Sequence, residues 1–390
     1  MSREDRKETT LGEICEVIRR GKQPRYVQQG LAVVNQKCIR NDRVLQTEHL
    51  RFTDTEQVNV PEVLYLRDGD VVVNSTGTGT VGRSALIADL DGELTLDSHV
   101  TLLRPNTELV LGDYLFADVL MKEQDLINAA TGSTNQVELS ARAIKALPVH
   151  LPSIEEQREI VNFMQALDQM IQAGDREIAS AEQMRGDVAR TLIRQVGEEF
   201  EFKPLQEIVE FHDNKRKPVK KADRVPGPYP YYGASGIADY VDNFLFEGLH
   251  LLIAEDGENI RTRKLPIAFL ANGKFWVNNH AHIVKADIGT TTKYVALAVE
   301  YSDISTYITG SSRPKITKTA CQSIKVPFPP LEEQEKIVEK MQSLDTYIDS
   351  AKRSQEALKQ VRQDALHALL SGDKDVRDLA EMFATDEDVA

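Results

Sequence analysis

Two stretches of the chain show the apolar spacing of long helices. Between Ile160 and Leu192, and again between Ile337 and Leu369, apolar residues recur at alternating steps of four and three. A narrow apolar stripe on an otherwise charged helix is typical of a coiled-coil strand. An S-x-x-E helix start precedes the first stretch, and two prolines precede the second. We therefore predict long helices over residues 151–197 and 329–372.

The two predicted helices repeat one another. Residues 155–193 and 332–370 agree at 15 of 39 positions with an offset of 177. Because the stripes match position for position, we expect the helices to pack on each other as an antiparallel pair. Two surface helices on separate domains remain the alternative. The expected packing positions are Ile160, Met164, Leu167, Ile171, Gly174, Ile337, Met341, Leu344, Ile348 and Ala351.

Arg185 and Arg362 occupy the same position in the two stripes. Either they extend their charged ends into water at the ends of the helices, or they bind a partner protein.

The regions between the helices alternate short apolar runs with glycine-rich turns. Such runs predict strands at 32–35, 71–74, 84–88 and 100–103, and at 251–254, 267–270 and 281–284. Helices are predicted at 113–128 and 292–301. The fold class is therefore α+β: two similar mixed domains separated by the helix pair, related by a pseudo-two-fold internal repeat.

Charge is distributed unevenly. The chain has 47 Lys and Arg against 61 Asp and Glu, a net −14, which argues against a simple electrostatic DNA binder. Residues 200–330 nevertheless carry 17 basic and 14 acidic side chains. The acidic excess lies mainly in 151–199 and 331–390, so the second globular region could position a nucleic acid.

Three separate cysteines exclude a disulfide scaffold and a thiolate zinc site, and suit a reducing cytosol. The sequence shows no signal peptide and no apolar run of about 20 residues. We predict a cytoplasmic protein that does not enter a membrane.

Two patterns resemble catalytic or metal motifs without satisfying them. Residues Gly77–Ser84 nearly spell a phosphate-binding loop, but Arg83 replaces its lysine and the following residues resemble a strand. His280 and His282 lack a nearby third ligand. We expect no catalytic residues, no metal and no cofactor on this chain.

The order of motifs resembles the specificity subunit of a type I restriction-modification system. Four segments carry the resemblance: Val71–Gly79, Thr131–Ser133 followed by Leu151–Val161, Tyr231–Gly236, and Thr309–Ser312 followed by Phe328–Val338. The resemblance covers roughly residues 11–372. It implies target recognition domains at 1–150 and 198–328, repeat helices at 151–197 and 329–372, and an acidic tail at 373–390.

That family resemblance also implies a function. Each recognition domain would read one half of a bipartite site in double-stranded DNA. The helices would set the gap between the halves and dock methyltransferase subunits, expected to be two. Those subunits would use S-adenosylmethionine at adenine, and motor-nuclease subunits would join for restriction. The chain itself would be a non-catalytic subunit.

Base and phosphate contacts need Arg, Lys, amide and hydroxyl side chains on groove-facing loops. The candidate DNA-binding residues are Ser75, Thr76, Thr78, Arg83, Ser133, Thr134, Asn135, Gln136, Lys215, Arg216, Lys217, Tyr232, Ser235, Asn259, Arg261, Arg263, Ser311, Ser312, Arg313 and Lys315.

Three alternatives stay open. The chain could be a specificity subunit of another multisubunit restriction class. It could instead be a coiled-coil scaffold that joins protein-binding domains. A nucleotide hydrolase using Gly77–Ser84 is the weakest of the three.

Overall fold

The computed structural model describes residues 7–40, 45–133, 136–379 and 381. They form two units. One unit contains the described residues up to Ala173 and those from Gln355 onward, and the other is Gly174–Ser354. Each long helix is therefore divided between the two units.

The first unit alternates short strands with short helices. Its elements are β1 Lys7–Thr10, α1 Leu11–Ile14, β2 Cys15–Arg20, β3 Tyr26–Val27, β4 Leu31–Val34, β5 Arg51–Thr53, β6 Val71–Asn74, β7 Ser84–Leu86, β8 Leu94–Leu96, β9 Val100–Pro105, α2 Gly112–Met121, α3 Glu123–Ala129, β10 Thr131–Ser133, β11 Gln136–Glu138, α4 Ala141–Lys145 and β12 Pro148–Leu151. The helix α5 follows, Ile154–Glu199.

The second unit repeats this plan. Its elements are β13 Phe202–Pro204, β14 Glu210–Phe211, β15 Tyr229–Gly233, β16 Gly236–Val241, β17 Phe246–Glu247, β18 His250–Ala254, α6 Asn259–Thr262, β19 Ala268–Ala271, β20 Lys274–Val277, β21 Ala281–Lys285, α7 Gly289–Tyr301, α8 Lys318–Ser323 and β22 Lys325–Pro327. The helix α9 follows, Leu331–Ser371.

Sheet topology confirms the internal repeat. Each unit has two four-stranded sheets. One has the strand order β2-β9-β6-β7 in the first unit and β14-β21-β18-β19 in the second, antiparallel throughout. The other contains one parallel pair in each unit, β4 with β8 and β15 with β20. The first strand of each unit pairs with its last, β1 with β12 and β13 with β22. Both globular regions therefore share one fold.

The cores form because the central strands are apolar on both faces. Strands β6 and β9 are buried along their whole length. In the first unit Tyr114 of α2 packs into the core and donates a hydrogen bond to the carbonyl of His150 at 2.8 Å. In the second, Tyr294 of α7 donates equivalently to the carbonyl of Pro327 at 2.7 Å. The repeat thus extends to side-chain contacts.

Within each unit the two long helices pack antiparallel. In the first, buried residues of α5, such as Ile160, share one apolar cluster with Leu366 and Leu369 of α9. In the second, Ile193 of α5 shares a cluster with Ile337 of α9. Because the residue numbers run in opposite directions along the two helices, the antiparallel prediction is confirmed.

The ten predicted packing positions are all shielded from solvent at least partly. Six are buried: Ile160, Met164, Leu167, Ile337, Met341 and Ile348. Four are half-buried: Ile171, Gly174, Leu344 and Ala351. The clusters also include domain residues such as Leu11 and Val149, so the helices pack on each other and on the globular domains.

The two stripe arginines take an arrangement that neither interpretation anticipated. Arg185 of α5 forms an ion pair with Asp345 of α9 in the second unit. Arg362 of α9 forms the equivalent pair with Asp168 of α5 in the first. Each ion pair joins the two helices, and the two pairs are related by the sequence repeat.

Part of the predicted acidic tail belongs to the first unit. Leu379 is buried in its apolar cluster, and the amide of Lys374 donates to the carbonyl of Ala368 at 3.1 Å. Residue 380 and residues 382–390 lie outside the described residues.

Candidate nucleic-acid interface

A glycine-rich turn joins β6 to β7 in the first unit. Its beginning is anchored, because the amide of Leu139 donates to the carbonyl of Ser75 at 2.8 Å and Thr76 bridges to Glu138 of β11. Gly77, Gly79 and Gly82 have positive φ, a backbone conformation that glycine adopts at little cost. The turn therefore presents a fixed backbone beside β11.

The four residues of the β6–β7 turn that were predicted to bind DNA differ in burial. Ser75 is buried and its hydroxyl pairs with that of Thr101 at 2.5 Å. Thr76 is held by Gln36 and by His99. Thr78 is exposed and Arg83 is half-buried. Of these four, Thr78 is best placed to meet a ligand.

The other predicted loop of this unit lies at the β10–β11 hairpin. Ser133 ends β10 and Gln136 begins β11, and the two pair across the hairpin. Their side chains, together with Thr134 and Asn135, lie outside the described residues.

The resemblance of Gly77–Ser84 to a phosphate loop ends at the following element. A phosphate loop leads into a helix whose N-terminal amides bind the anion. Here the turn leads into β7, which pairs antiparallel with β6. This segment is a β-hairpin, so nucleotide binding by that mechanism is excluded.

In the second unit, the segment that joins β18 to β19 corresponds to the β6–β7 turn of the first. A buried charged network lies at the beginning of this segment. His282 Nδ1 faces Asp213 at 2.7 Å and Nε2 faces the carbonyl of Ile316 at 2.8 Å. Because both partners are acceptors, the His282 ring satisfies them only as the doubly protonated cation. Arg216 Nη1 lies 2.6 Å from Glu255, and Lys315 Nζ lies 3.0 Å from the same carboxylate.

This network keeps its carboxylates ionised. Burial alone would raise the pKa of Asp213, but hydrogen bonds from His282 and the Ile283 amide hold that pKa below its ordinary value. Burial would likewise raise the pKa of Glu255, but hydrogen bonds from Arg216 and Lys315 lower it below its ordinary value. The network is a framework that supports the turn from below.

Several predicted DNA ligands have structural partners instead. The side chain of Arg216 is only 14% exposed. Arg263 donates to the carbonyls of Glu300 and Ser302 at the end of α7. Arg261 donates to the carbonyls of Gly310 and Ser311, and Asn259 closes its loop by bonding the backbone of Leu265. We assign these four side chains to loop stabilisation.

A second group of predicted ligands faces solvent. Its members are Lys215, Lys217, Ser235, Ser311, Ser312, Arg313 and Lys315. Arg313 is 69% exposed although it pairs with Asp256 at 2.8 Å. Tyr232 differs from this group because its half-buried ring packs against Phe269 and Phe275, and burial raises its pKa. The exposed cations and hydroxyls supply the chemistry for phosphate and base contacts.

Within the described residues no group of three or more His, Cys, Asp and Glu side chains could hold a metal ion. His280 pairs with Asp256 while His282 pairs with Asp213, so the two histidines serve separate contacts.

The first unit also contains a polar cavity of about 440 Å³ that sequence reasoning missed. Arg51 stacks on the ring of Tyr26, whose hydroxyl donates to Asp97 at 3.1 Å. Burial is the main cause that raises the pKa of Tyr26 to about 12 and raises that of Asp97. The lining comes from segments far apart in sequence: Gln23, Pro24, Tyr26, Asn35, Gln36, Lys37, Glu48, His49, Leu50, Arg51, Asp97 and His99. No local pattern could therefore have revealed this cavity.

Among the described residues no helix has both the length and the apolar character needed to cross a bilayer.

Known proteins share this fold over nearly the whole chain. The specificity subunit of Thermoanaerobacter tengcongensis covers 95% of this chain and 97% of its own, with a TM-score of 0.53 and 18% identity. A structure from a study of assembly and conformational transition of the type I restriction-modification system covers 93% and 97%, with a TM-score of 0.59 and 17% identity.

Sequence relatives carry the corresponding names. A Haemophilus influenzae protein named as a type I restriction enzyme specificity subunit is 40% identical over 148 residues, which is 38% of this chain and 38% of that protein. The MjaVIII specificity subunit of Methanocaldococcus jannaschii is 21% identical over 420 residues, 93% of this chain and 94% of that protein.

The family model for the type I restriction modification DNA specificity domain matches twice, over residues 3–183 and 197–360. These two matches fall on the two copies of the internal repeat and include most of the chain. The chain therefore belongs to the family of type I restriction-modification DNA specificity subunits.

Proposed function

We propose that this chain selects a bipartite DNA target for a type I restriction-modification complex, each unit reading one half of the site. The observation that carries this proposal is the duplication of one fold with different loop residues. The β6–β7 turn presents Thr78 in the first unit, and the loop after α7 presents Ser311, Ser312 and Arg313 in the second. Two similar domains with different ligands can read two different sequences.

In this proposal the chain selects the DNA target, and its partner subunits catalyse the reactions. In this proposal methyltransferase subunits dock on the helix pair and transfer a methyl group from S-adenosylmethionine to adenine. Motor-nuclease subunits join the same complex for restriction. The chain itself then needs only DNA-contacting side chains and surfaces for its partners.

The helix pair sets the gap between the two half-sites. Helix α5 has 46 residues and α9 has 41, which corresponds to about 69 Å and 62 Å at 1.5 Å per residue. Support for a fixed length comes from the apolar packing and the ion pairs that join the helices within each unit.

The test uses the full chain co-purified with methyltransferase subunits. Adenine methylation is measured on a library of duplexes with random half-sites and gaps from four to ten base pairs. We expect methylation of one bipartite motif with one gap, and replacing the β6–β7 turn should change one half only. Simultaneous change of both halves would contradict independent reading, and failure of any such complex to bind DNA would favour the scaffold alternative.

Electrostatics provides a second test. With a net charge of −14, the isolated chain should bind DNA weakly, and its partners should supply much of the phosphate contact. On B-DNA each neutralised phosphate contributes about −0.9 to the log–log salt slope. The complex should therefore show a much steeper slope than the chain alone.

A further inference from the structure

Each unit places one histidine at the same point of its fold. His99 lies directly before β9, and His280 lies directly before β21. The backbone amide of His99 donates to Asp97 Oδ1 at 2.8 Å, and that of His280 donates to Asn278 Oδ1 at 2.7 Å. Both histidines are therefore held in the same turn, closed by a side chain two residues earlier.

The same connections tie each histidine to the neighbouring glycine-rich turn. The carbonyl of His99 accepts from the amide of Ser75 at 2.8 Å, and that of His280 accepts from Glu255 at 2.9 Å. The ring nitrogen Nδ1 is also fixed, by Thr76 Oγ1 at 2.7 Å in one unit and by Asp256 Oδ1 at 2.9 Å in the other.

Packing does not explain why both units have a histidine here. His99 is exposed and 39% of the His280 side chain is exposed. Two residues after each histidine, the side chain is buried: it is Thr101 in the first unit and His282 in the second. The supporting interior has changed between the copies while the exposed residue is the same, which is the opposite of what a packing role would produce.

A feature shared by two domains that read different sequences cannot itself distinguish those sequences. Resting on the proposed function, we propose that His99 and His280 each bind a DNA phosphate through Nε2, at equivalent points of the two half-sites. Within the described part of the chain, Nε2 of neither ring makes a hydrogen bond. Arg313 shares the carboxylate of Asp256 with His280, and Lys315 pairs with the adjacent Glu255; these two cations are 69% and 48% exposed.

The partners of Nδ1 set the charge of each ring in the complex. Asp256 can only accept, so His280 donates to it and becomes a cation when Nε2 also donates to phosphate. The hydroxyl of Thr76 can donate to His99, so a neutral His99 ring can still donate through Nε2. The two contacts have the same geometry but differ in charge.

The experiment measures DNA binding by the full complex with its methyltransferase subunits. His99→Ala and His280→Ala are tested on the cognate duplex, on duplexes with either half-site altered, and on unrelated DNA. Each variant should weaken binding to all of them by a similar factor, about two- to tenfold for one hydrogen bond. The log–log salt slope should become shallower by about 0.9 in His280→Ala and remain unchanged in His99→Ala.

Neighbouring substitutions provide the matched controls. Ser98→Ala and Asn279→Ala change the same turns at the residue directly before each histidine. Ser98→Ala removes only a hydrogen bond to Gln23, and both variants should retain wild-type binding. A loss as large in Asn279→Ala as in His280→Ala would assign the effect to the shape of the turn and overturn the inference. A loss confined to the cognate half-site, an unchanged salt slope in His280→Ala, or no loss at all would also overturn it.

This outcome is separable from that of the proposed function. If the wild-type complex bound all duplexes equally, bipartite reading would fail, while a uniform loss in the histidine variants would still support the phosphate contact.

Discussion

A buried ion pair stabilises the interior of the first unit. Arg104 of β9 donates two hydrogen bonds to the carboxylate of Asp70, at 2.9 and 2.7 Å. The two side chains are only 6% and 1% exposed. Further donors of Arg104 reach the carbonyls of Val63 and Tyr65. The geometry is bidentate and the pair is shielded from water, which makes it costly to break.

Replacing Asp70 by Asn should destabilise the first unit by about 3–5 kcal/mol, because it leaves the buried guanidinium without its counter-charge. Hydrogen exchange of the β6 and β9 amides measures this locally. Asp187→Asn is the control, read from the amides of α5 in the second unit. Its pair with Arg190 is 59% exposed on both sides, so its loss should cost less than about 1 kcal/mol. Equal losses in the two variants would refute the argument from burial.

The second unit should lose stability in acid through Asp213 and Glu255. Both have a folded pKa below the ordinary value, so their contribution is present above about pH 4 and is lost as the pH falls through the lowered values. Asp213→Asn should destabilise the unit at pH 7, and the difference from wild type should shrink toward pH 3. Fluorescence of Trp276, the one tryptophan of the chain, reports this unit. A difference independent of pH would exclude the mechanism.

Charge in the sequence could not reveal these residue roles. Lys215, Arg216 and Lys217 form one basic run, yet only Arg216 turns inward. Its partner Glu255 is 39 residues away in the sequence, and no local sequence pattern indicates a contact between residues so far apart. The exposure of Lys215 and Lys217, by contrast, follows the ordinary preference of lysine for solvent.

At the scale of elements, local periodicity predicted the long helices and the central strands, but not the short helices α1, α4, α6 and α8. The strand expected at 71–74 is β6 as observed, since an apolar run buried on both faces has a clear local signature. The helix expected at 113–128 is instead divided at Lys122 into α2 and α3. Strands of two residues, such as β3 and β17, are too short to show any period and were missed.

The reciprocal ion pairs should fix the register of the helix pair. Arg362→Asp places two carboxylates together and should destabilise the first unit, while the added substitution Asp168→Arg restores an ion pair in reverse. We expect a coupling energy of about 0.5–3 kcal/mol in the double-mutant cycle, measured by urea unfolding. If the loss in the double variant equalled the sum of the losses in the two single variants, the ion pair would not fix the register of the helices.

At the scale of the whole molecule, the repeat was visible because its helical parts stayed similar in sequence. The shared strand order of the globular parts was not visible, since strand pairing depends on contacts between distant segments. The division of both helices between the two units was equally hidden: it follows from which globular core each half of a helix packs against.

Helix length should control the gap in the DNA target. Seven residues inserted after Ala173 and seven after Ser354, at the unit boundaries, preserve the apolar stripe and add about 10.5 Å to each helix. The preferred gap should grow by up to about three base pairs at 3.4 Å each, as scored on the methylation library. An active, folded variant with the original gap would eliminate this role for the helices.

Two-residue insertions at the same places provide the control. They turn the stripe by about 200°, so the helices should lose their packing and the complex its activity, without any new gap preference.

The division of the first unit between the two ends of the chain has a consequence during synthesis. Its α9 segment, from Gln355 onward, is translated only after the whole of Gly174–Ser354. At about 5–20 residues per second the ribosome needs roughly 10–35 s for that interval. During this time Ile160, Met164 and Leu167 have emerged without Leu366 and Leu369, the α9 residues of the same apolar cluster. The unit begun first is thus the last to be completed, and the nascent chain must keep an apolar helix face from aggregating until its C-terminal partner arrives.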